Sequence, residues 1–399
     1  MEMRAVGIVA EYNPFHNGHA YQIARAKELT GADAAVCVMS GNFVQRGAPA
    51  VADKWVRAEM ALAGGADLVV ELPCYYALSP AQDFAYGAVS LLDAMGCVGS
   101  ICFGSESGDL GRLSQAAWLL LDEPDALSAN IKRELGRGAG YPAARSAALG
   151  AAGFDTSELS GPNDILAIEY LRALYQIGSR IRPFCTARVG TGYHDTAAAG
   201  KFASATALRQ MLRAGKDILP YLPAASYEVW QSAAEAGGAP VWEERFDTAV
   251  LAALRMMDTK TLAKVRGVGE GLESRIARAA MRAGSVEELT ALASAKRYTK
   301  ARIARIVWSA VLGLCAQAER PKPGYLRVLG MNRNGMRLLA QAKGCTALSV
   351  VTKTADFAGR DGELFALDCR STDLFALGYP REDRRMGGLD FTTSPVVVD

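Results

Sequence analysis

Short apolar runs alternate with helical patterns through the first third of this chain, a rhythm typical of a parallel sheet joined by crossover helices. Each run is short and almost wholly apolar, as in strands that are buried on both faces. The runs are residues 5–10, 34–39, 67–72 and 100–103. A helix is predicted at about residues 20–27, directly after the first strand. The pattern therefore predicts an α/β fold in which ligands bind beyond the carboxyl ends of the strands.

Beyond about residue 110 the pattern becomes mainly helical. New helices are predicted after breaks at residues 141–145 and 161–164, and residues 183–187 form a short extended stretch. We interpret this part as a helical insertion in the sheet domain, which would then span residues 1–240.

Two further units are predicted after the sheet domain. Residues 241–320 form a helical domain, and residues 321–399 form a small α/β segment that packs back on the protein. The possible elements of this last segment are strands at residues 325–329 and 348–352 and a helix near residues 336–342.

The composition is that of an ordinary globular protein with more than one domain. The chain has 399 residues, of which 50% are hydrophobic and 22% are charged, and this length favours two or three domains. The sequence has no apolar run of membrane-spanning length and no leader pattern, so we expect a cytoplasmic protein that does not enter a membrane. Eight cysteines without a Cys-x-x-Cys pair predict reduced, buried thiols.

The candidate chemistry is concentrated in the turn after the first strand, where residues 11–19 read Glu-Tyr-Asn-Pro-Phe-His-Asn-Gly-His. Two of the three histidines in the chain, His16 and His19, stand there at i, i+3 spacing. Gly18 allows a phosphate to approach the backbone, and the following helix offers free N–H groups and the positive end of its dipole. Imidazole N–H donors at this point can stabilise charge on phosphate oxygens. The turn therefore predicts adenylyl transfer, in which a nucleophile attacks the α-phosphate of ATP and pyrophosphate leaves.

Two other interpretations of the histidine pair stay open. His16 and His19 could bind zinc, although no Cys, Asp or Glu with the spacing of metal ligands accompanies them. They could also be a purely structural pair in a turn, although the surrounding string is specific. We assign no metal ligands from the sequence.

Polar, glycine-rich segments follow the other predicted strands and are expected at the same edge of the sheet. They are residues 40–47, 73–76 and 104–109. Taken singly, each could be an ordinary turn, but their shared position favours a binding site.

A second candidate phosphate site lies at residues 204–209, which read Ser-Ala-Thr-Ala-Leu-Arg and open a helix. Small hydroxyl side chains at a helix start, with a guanidinium nearby, suit a phosphate group. The alternative is an ordinary N-cap with a surface arginine. His194 stands alone in a loop, and we interpret it as a solvated or locally hydrogen-bonded side chain in preference to a substrate ligand.

Positive charge is concentrated in residues 255–305, which contain 12 Lys or Arg and 5 Asp or Glu, a net charge of +7 in a chain whose net charge is +2. The densest part is residues 296–305, where helical spacing would place Arg302 and Arg305 on the same side as Tyr298. This pattern favours binding to a phosphate backbone. The alternative, a solvated cationic helix face, stays open.

Taken together, these strings resemble the tRNA(Met) cytidine acetate ligases, relatives of the adenylyltransferases that carry the His-x-Gly-His turn. The resemblance covers most of the chain and weakens after about residue 340. Asn13 stands where the broader pattern has Asp, and residues 204–206 read Ser-Ala-Thr where Ser-Ser-Thr is usual, which indicates this branch rather than a cofactor-making enzyme. The matching strings are residues 7–19, 39–47, 103–106, 162–163, 186–188, 204–206, 269–272 and 296–299.

The resemblance implies a Rossmann-like nucleotidyltransferase domain that activates acetate with ATP and releases pyrophosphate. The acetyl group would then pass from acetyl-adenylate to N4 of the wobble cytidine, position 34 of elongator tRNA(Met), with loss of AMP. Coenzyme A would not be needed, Mg²⁺ is expected with the ATP phosphates, and no stable protein partner is implied. The helical domain would bind the tRNA, whose anticodon bases can be splayed out and reach an active site.

The resemblance also implies roles for individual residues. His16 and His19 would be catalytic. The turn and three further positions would contact ATP, and these residues are Val9, Ala10, Glu11, Tyr12, Asn13, Pro14, Phe15, Asn17, Gly18, Ala20, Gly104, Asn163 and Arg188. From our own interpretation of the second phosphate string we add Ser204, Thr206 and Arg209. The residues that would hold the tRNA are Lys296, Arg297, Lys300, Arg302 and Arg305.

Two alternative functions stay open. One is a small-molecule adenylyltransferase of cofactor biosynthesis, but such enzymes are commonly shorter and leave the basic segment unexplained. The other is a non-catalytic RNA-binding protein with a vestigial nucleotide site, which the intact His16, Gly18 and His19 argue against.

Overall fold

The computed structural model describes residues 2–122, 124–151, 153–154, 161–187, 200–357 and 362–399. The strands are β1 (Ala5–Ala10), β2 (Ala34–Ser40), β3 (Phe43–Val44), β4 (Ala48–Pro49), β5 (Leu68–Leu72), β6 (Val98–Ser105), β7 (Arg182–Ala187), β8 (Tyr325–Met331), β9 (Ser349–Val351) and β10 (Val396–Val397).

The helices are given in chain order. The first ten are α1 (Asn17–Thr30), α2 (Lys54–Ala63), α3 (Cys74–Ala77), α4 (Ala81–Ala94), α5 (Leu110–Asp122), α6 (Asp125–Gly136), α7 (Tyr141–Ala151), α8 (Pro162–Ile177), α9 (Ala205–Arg213) and α10 (Ala224–Glu235). The others are α11 (Asp247–Met256), α12 (Thr259–Ala263), α13 (Leu272–Arg282), α14 (Val286–Ala293), α15 (Lys300–Leu312), α16 (Arg333–Cys345), α17 (Thr354–Phe357), α18 (Gly362–Ala376) and α19 (Leu389–Thr392). Short 3₁₀ helices span Leu219–Tyr221, Glu243–Phe246 and Glu382–Arg384.

One central sheet organises the molecule, with strand order β10-β8-β5-β2-β1-β6-β7 and β9 paired beside β8. The strands predicted from apolar runs, β1, β2, β5 and β6, are all present and run parallel, as does β7. Their carboxyl ends therefore meet at one edge, and the predicted Rossmann-like α/β fold is confirmed. β8 runs antiparallel to β5, so the sheet is mixed where the sequence predicted only parallel strands.

Helices cover both faces of this sheet, and β2 shows how the pattern arises. Every residue of β2 is buried. Val36 and Val38 belong to the core cluster that contains α4, α5 and α8, whereas Cys37 and Met39 belong to the cluster that contains α1, α2, α9 and α10. Because successive strand side chains point to opposite faces, a strand with helices on both sides is mostly apolar.

The helical region α11–α15 contacts the sheet domain through Arg266. Its guanidinium donates to the Tyr75 carbonyl at 2.7 Å and to the Ser79 hydroxyl at 2.5 Å, and it forms an ion pair with Asp83 at 2.5 Å. The guanidinium also lies 3.9 Å from the centre of the Tyr75 ring. A charged donor shared among several partners holds the basic helical region against α3 and α4.

The last segment of the chain continues the central sheet. β8 pairs with β5, and both β9 and β10 pair with β8. The predicted strands at residues 325–329 and 348–352 correspond to β8 and β9. The boundaries after residues 240 and 320 stay predictions.

The cysteines are all free thiols, but their burial is uneven. Cys37, Cys74, Cys97 and Cys102 are buried, whereas Cys315 and Cys345 are exposed. The expectation that the thiols are buried is therefore wrong for Cys315, which follows α15, and for Cys345, the last residue of α16.

Candidate nucleotide site

The predicted turn lies at the carboxyl end of β1, in the middle of the sheet. β1 ends at Ala10, and α1 begins at Asn17 with His16 as its N-cap. Tyr12 has a φ of 48° and the Asn13–Pro14 peptide bond is cis. The Tyr12 side chain is buried and its hydroxyl lies 3.2 Å from the Cys37 Sγ. Burial first, and then the neighbouring Cys37, raise the pKa of Tyr12 well above its ordinary value, so the phenol stays neutral.

The two histidines of the turn stack on each other. Their ring centres are 3.6 Å apart and their planes differ by 21°. The Nδ1 of His16 accepts a hydrogen bond from the Gly18 N–H at 3.1 Å, so the proton of a neutral His16 ring is on Nε2. Tyr12 packs edge-on against His19, with ring centres 4.8 Å apart. These contacts fix the orientation of both rings at the start of α1, where the His19 and Ala20 N–H groups donate to the His16 carbonyl at 2.8 and 3.2 Å.

Residues 200–222 contact the same turn, since the Asn17 side-chain amide donates to the carbonyls of Lys201 at 3.0 Å and Pro220 at 3.2 Å. Ser204 is the N-cap of α9, and its hydroxyl accepts from the Ala207 N–H at 3.1 Å. Arg209 donates to the Asn13 carbonyl at 2.6 Å and to the Thr206 hydroxyl at 3.2 Å. The structure therefore brings the start of α9 to the His-x-Gly-His turn, and at least part of the Arg209 guanidinium positions that turn.

Gly104 and Asn163 lie on the other side of β1. In the pairing of β1 with β6, Gly7 stands opposite Ile101, so Gly104 is level with Ala10, the last residue of β1. Glu106 connects this strand to α8, since its carboxylate accepts from the Asn163 Nδ2 at 2.5 Å and from the Asp164 N–H at 2.9 Å. A carboxylate at a helix start is the arrangement that the helix dipole favours.

Arg57, on α2, supports the site and was not identified from the sequence. It is fully buried, and its guanidinium donates to the carbonyls of Glu11 at 2.7 Å and of Ser40 at 3.0 Å, and also to that of Gly41. Burial lowers the pKa of Arg57 to about 10, so the group keeps its charge near neutral pH. Arg57 thus joins the carboxyl ends of β1 and β2. The partners are backbone groups distant in sequence, so no local pattern could have revealed it.

A cluster of buried charges packs against Gly41, the residue that follows β2. The Lys54 Nζ contacts Glu71 at 2.9 Å and Asp390 at 2.8 Å, and Arg327 contacts the same two carboxylates at 3.3 and 2.5 Å. The side chains are at most 4% exposed. Burial and Arg327 oppose the charge on Lys54, but the two carboxylates outweigh them and leave its pKa above the ordinary value. The sequence held a signal here, because Glu71 interrupts an apolar strand and a buried carboxylate requires partners.

Asp368 extends this cluster toward α3. It accepts a hydrogen bond from the Cys74 N–H at 2.7 Å and another from the Tyr325 hydroxyl at 2.5 Å. Burial, with a further contribution from the charge on Glu71, raises the pKa of Asp368 to about 7. The last segment is therefore tied to the sheet by charged and polar contacts as well as by strand pairing.

The predicted tRNA-binding residues differ in their exposure. Lys296, Arg297 and Lys300 are exposed. Arg297 pairs with Glu270 at 2.6 Å, and the Tyr298 hydroxyl donates to the same carboxylate at 3.0 Å.

The predicted single helix over residues 296–305 is shorter than expected. Thr299 caps α15, which begins at Lys300, so Tyr298 precedes the helix. The Arg302 guanidinium lies 5.2 Å from the Tyr298 ring centre, as the pattern predicted, but Arg305 donates to the Gln45 carbonyl at 3.1 Å. Because Tyr298 precedes the helix, the helical spacing from which a common face with Arg305 was predicted does not apply to it.

Two residues that the sequence singled out, Arg188 and His194, lie outside the described residues. No helix in the described ranges is long and apolar enough to cross a membrane. In the same part of the chain, no group of three or more His, Cys, Asp or Glu side chains is placed to hold a metal ion.

The fold and the His-x-Gly-His turn together define a nucleotidyltransferase, and comparison with known proteins agrees. Residues 3–388 match the family model described as HIGH Nucleotidyl Transferase. The tRNA(Met) cytidine acetate ligase of Acetivibrio thermocellus is 38% identical over 99% of this chain and 100% of its own length. That of Thermoanaerobacter sp. is 41% identical over 98% of each chain.

Solved structures give the same result. The apo crystal structure of Thermotoga maritima TmcAL superposes with a TM-score of 0.94 at 35% identity and covers 99% of this chain and 100% of that one. A second structure of that protein, bound with alpha-thio ATP, gives a TM-score of 0.92 at 34% identity, again over 99% and 100% of the two chains. This chain belongs to the tRNA(Met) cytidine acetate ligase family of HIGH nucleotidyl transferases, and the resemblance inferred from the sequence is confirmed.

Proposed function

We propose that this protein is an ATP-dependent ligase that acetylates N4 of the wobble cytidine in elongator tRNA(Met). In the first step a carboxylate oxygen of acetate attacks the α-phosphorus of ATP, the bond to the bridging oxygen breaks, and pyrophosphate leaves. In the second step the cytidine N4 attacks the acetyl carbonyl carbon of acetyl-adenylate, AMP leaves, and N4 loses a proton. The observation that carries the proposal is the stacked His16–His19 pair at the start of α1, at the carboxyl edge of the sheet.

The histidines would act on the charge that develops on the phosphate oxygens. His16 accepts from the Gly18 N–H through Nδ1, which leaves Nε2–H as a donor on the opposite side of the ring. Donors fixed in advance stabilise a transition state without reorganising when it forms. Phosphoryl-type transfer needs mainly positioning and electrostatics, so two oriented imidazoles and a helix N-terminus suit the first step.

ATP would lie across the turn, with Gly104 and Asn163 on one side and α9 on the other. The turn residues in this proposal are Val9, Ala10, Glu11, Tyr12, Asn13, Pro14, Phe15, Asn17, Gly18 and Ala20. Ser204 and Thr206 would approach the phosphates, and Arg209 would do so while its guanidinium holds the Asn13 carbonyl. Arg188 belongs to the proposal through the resemblance alone.

The tRNA would bind the cations around the start of α15. Lys296, Arg297, Lys300 and Arg302 lie close to Tyr298 along the chain, and the Tyr298 ring could stack on an unpaired base. Arg305 was grouped with them from the sequence, although its guanidinium donates to the Gln45 carbonyl. We place the reaction in the cytoplasm, where the tRNA is available.

Mg²⁺ would enter with the ATP phosphates, since this ion commonly binds through phosphate oxygens and retained waters instead of a cage of protein ligands. Its role would be to neutralise charge on the phosphates. The adenylate carries the acetyl group, so coenzyme A has no step in the reaction.

The test of the first step is exchange of labelled pyrophosphate into ATP. Exchange that requires acetate is expected, because only a reversible adenylation of acetate returns pyrophosphate to ATP in this mixture. A cofactor-making adenylyltransferase would catalyse exchange only with its phosphorylated precursor, and a non-catalytic RNA-binding protein would show none. Pyrophosphate exchange at the same rate with and without acetate would therefore contradict the proposal, and so would the absence of exchange.

A further inference from the structure

A small β-hairpin lies between α15, the helix proposed to bind tRNA, and the nucleotide turn. It is formed by β3, β4 and the residues that join them (43–49; hereafter the hairpin). β3 and β4 pair antiparallel, with Phe43 opposite Pro49. The hairpin follows β2 directly, so it begins at the carboxyl edge of the sheet. Its sequence matches the family pattern, but neither composition nor motif assigns it a role.

On one side the hairpin packs against α15. The Phe43 ring lies 4.9 Å from the ring of Trp308, which is itself fully buried. Gly47 has a φ of 76°, and a Cβ at this position would overlap the backbone of Ala304 and Arg305. The backbones of the hairpin and α15 are therefore in direct contact, and only glycine permits the approach.

On the other side the hairpin contacts the nucleotide turn. The Gln45 N–H donates to the Glu11 carboxylate at 2.8 Å, and Glu11 is the first residue after β1. The Gln45 carbonyl accepts from Arg305 at 3.1 Å. One peptide residue, Gln45, thus receives a hydrogen bond from α15 and gives one to the start of the turn.

The environment of Arg305 differs from that of the exposed cations before it. Burial, with repulsion from Arg302 and Arg266, lowers the pKa of Arg305 to about 10. Lys296, Arg297 and Lys300 are exposed. A partly buried guanidinium that donates to a main-chain carbonyl is suited to hold a loop, and it has less surface to offer a phosphate.

We infer that Arg305 is a positioning residue that couples the RNA-binding helix to the nucleotide turn through the hairpin, by the path Arg305, Gln45, Glu11. The inference rests on the proposed function, which places ATP at the turn and tRNA at α15. It assigns Arg305 to the ATP side of the reaction, where the charge pattern alone assigned it to the tRNA.

The experiment compares four variants of the full chain. Arg305→Gln replaces the guanidinium that donates to the Gln45 carbonyl with a shorter, neutral side chain. Gly47→Ala adds a Cβ that pushes the hairpin away from α15. Arg305→Lys retains one donor and the charge. Arg282→Gln is the matched control, because it removes one exposed positive charge from the same helical region. Thermal unfolding of each variant gives the folded fraction.

We expect Arg305→Gln and Gly47→Ala to raise the dissociation constant for ATP by roughly tenfold per folded molecule, since small displacements of a positioned turn are costly. Arg305→Lys should recover part of that loss. The affinity for tRNA should change no more in Arg305→Gln than in Arg282→Gln. A purely structural role would lower the folded fraction and leave the ATP affinity of the folded molecules unchanged, which would overturn the inference.

The opposite pattern would also overturn it. If Arg305→Gln binds ATP as the unmodified protein does but loses affinity for tRNA, then Arg305 is a phosphate ligand. Acetate-dependent pyrophosphate exchange is measured on the same samples. If the unmodified protein binds ATP without such exchange, the proposed function is contradicted. The difference in ATP affinity between Arg305→Gln and Arg282→Gln still tests the coupling.

Discussion

The nucleotide turn and the basic segment are both prominent in the sequence, but the structure treats them in opposite ways. In the turn, Tyr12, Asn13, Phe15 and His16 are buried. They are held by contacts with one another and with distant residues, among them Cys37, Val51 and Arg209. In the basic segment, by contrast, most of the cations are exposed. A site that acts by geometry needs fixed side chains, whereas a surface that attracts a phosphate backbone needs only charge in the right place.

The difference explains why the two regions are predicted with unequal success. The turn is a contiguous string of specific residue types, so it can be recognised in the sequence although several of its contacts are distant. The basic segment is recognised by a count of charges, and the count cannot tell which cations face solvent. Arg305 illustrates this, since its guanidinium donates to Gln45 on the hairpin.

The largest effect is expected when the geometry of the turn is disturbed. His16→Ala or His19→Ala should lower turnover by roughly 100- to 1,000-fold, as the loss of a preorganised donor does in other enzymes. ATP affinity should fall much less, because the interaction is made mainly in the transition state. Steady-state kinetics with ATP and tRNA varied separately give both quantities. Turnover that is unchanged in either variant would remove that histidine from the mechanism.

A second, smaller effect tests the role of charge in the basic segment. Reversal of Lys296 and Lys300 to Glu should weaken tRNA binding by about tenfold or more, and it should reduce the slope of log affinity against log salt by about 0.7–0.9 for each phosphate that the protein no longer neutralises. Filter binding across a salt series measures this. Lys343→Glu, an exposed residue on α16, is the matched control. Equal slopes in the variant and the control would show that Lys296 and Lys300 belong to a solvated surface that does not bind the tRNA.

The third prediction concerns the buried charges around Glu71 on β5, which lie next to Gly41. Lys54→Met leaves Glu71 and Asp390 with Arg327 as their remaining cation, and should lower the free energy of unfolding by about 3–5 kcal/mol. Lys54→Met combined with Glu71→Met removes both charges and should recover part of this loss. Urea unfolding of the two variants measures the difference. A double variant that is no more stable than Lys54→Met would show that the charges of Lys54 and Glu71 are not coupled.

The smallest effect is a dependence of stability on pH from Asp368. The pKa of this carboxyl is about 7 in the folded protein, above the ordinary value of about 3.9 in an unfolded chain. Between these two values the folded state binds the proton and the unfolded state does not, so the free energy of unfolding falls as pH rises toward 7 and levels off above it.

Asp368→Asn removes this titration, so the decline in unfolding free energy between about pH 5 and about pH 8 should be smaller than in the unmodified protein. Urea unfolding at the two pH values tests the prediction. Asp356→Asn, which changes an exposed carboxyl on α17, should leave the decline as it is. An equal decline in Asp368→Asn would show that Asp368 ionises normally.

Much of the fold follows from local patterns, and the limits of those patterns are physical. Strands buried on both faces are nearly all apolar, so β1, β2, β5 and β6 could be predicted. The direction of β8 could not, because an apolar run reads the same in parallel and antiparallel pairing. Thr299 was a usable signal for the start of α15, since threonine is a favoured N-cap.

The candidate site divides in the same way. The His-x-Gly-His turn and the Ser204 helix start are contiguous strings, and the structure brings them together through Arg209 and Asn13. Arg57 was missed because its partners are backbone carbonyls on two separate strands. The roles of the individual ATP and tRNA residues stay predictions, and those of Arg188 and His194 concern residues that are not described.

The most direct measurement is transfer of labelled acetate to elongator tRNA(Met), with complete reactions, reactions without ATP, and reactions with His16→Ala. The account predicts label on the tRNA only in the complete reaction with the unmodified protein, recovered as N4-acetylcytidine after digestion to nucleosides. Label that appears without ATP, or at an equal rate with His16→Ala, would contradict the claim that the turn forms the acetyl-adenylate.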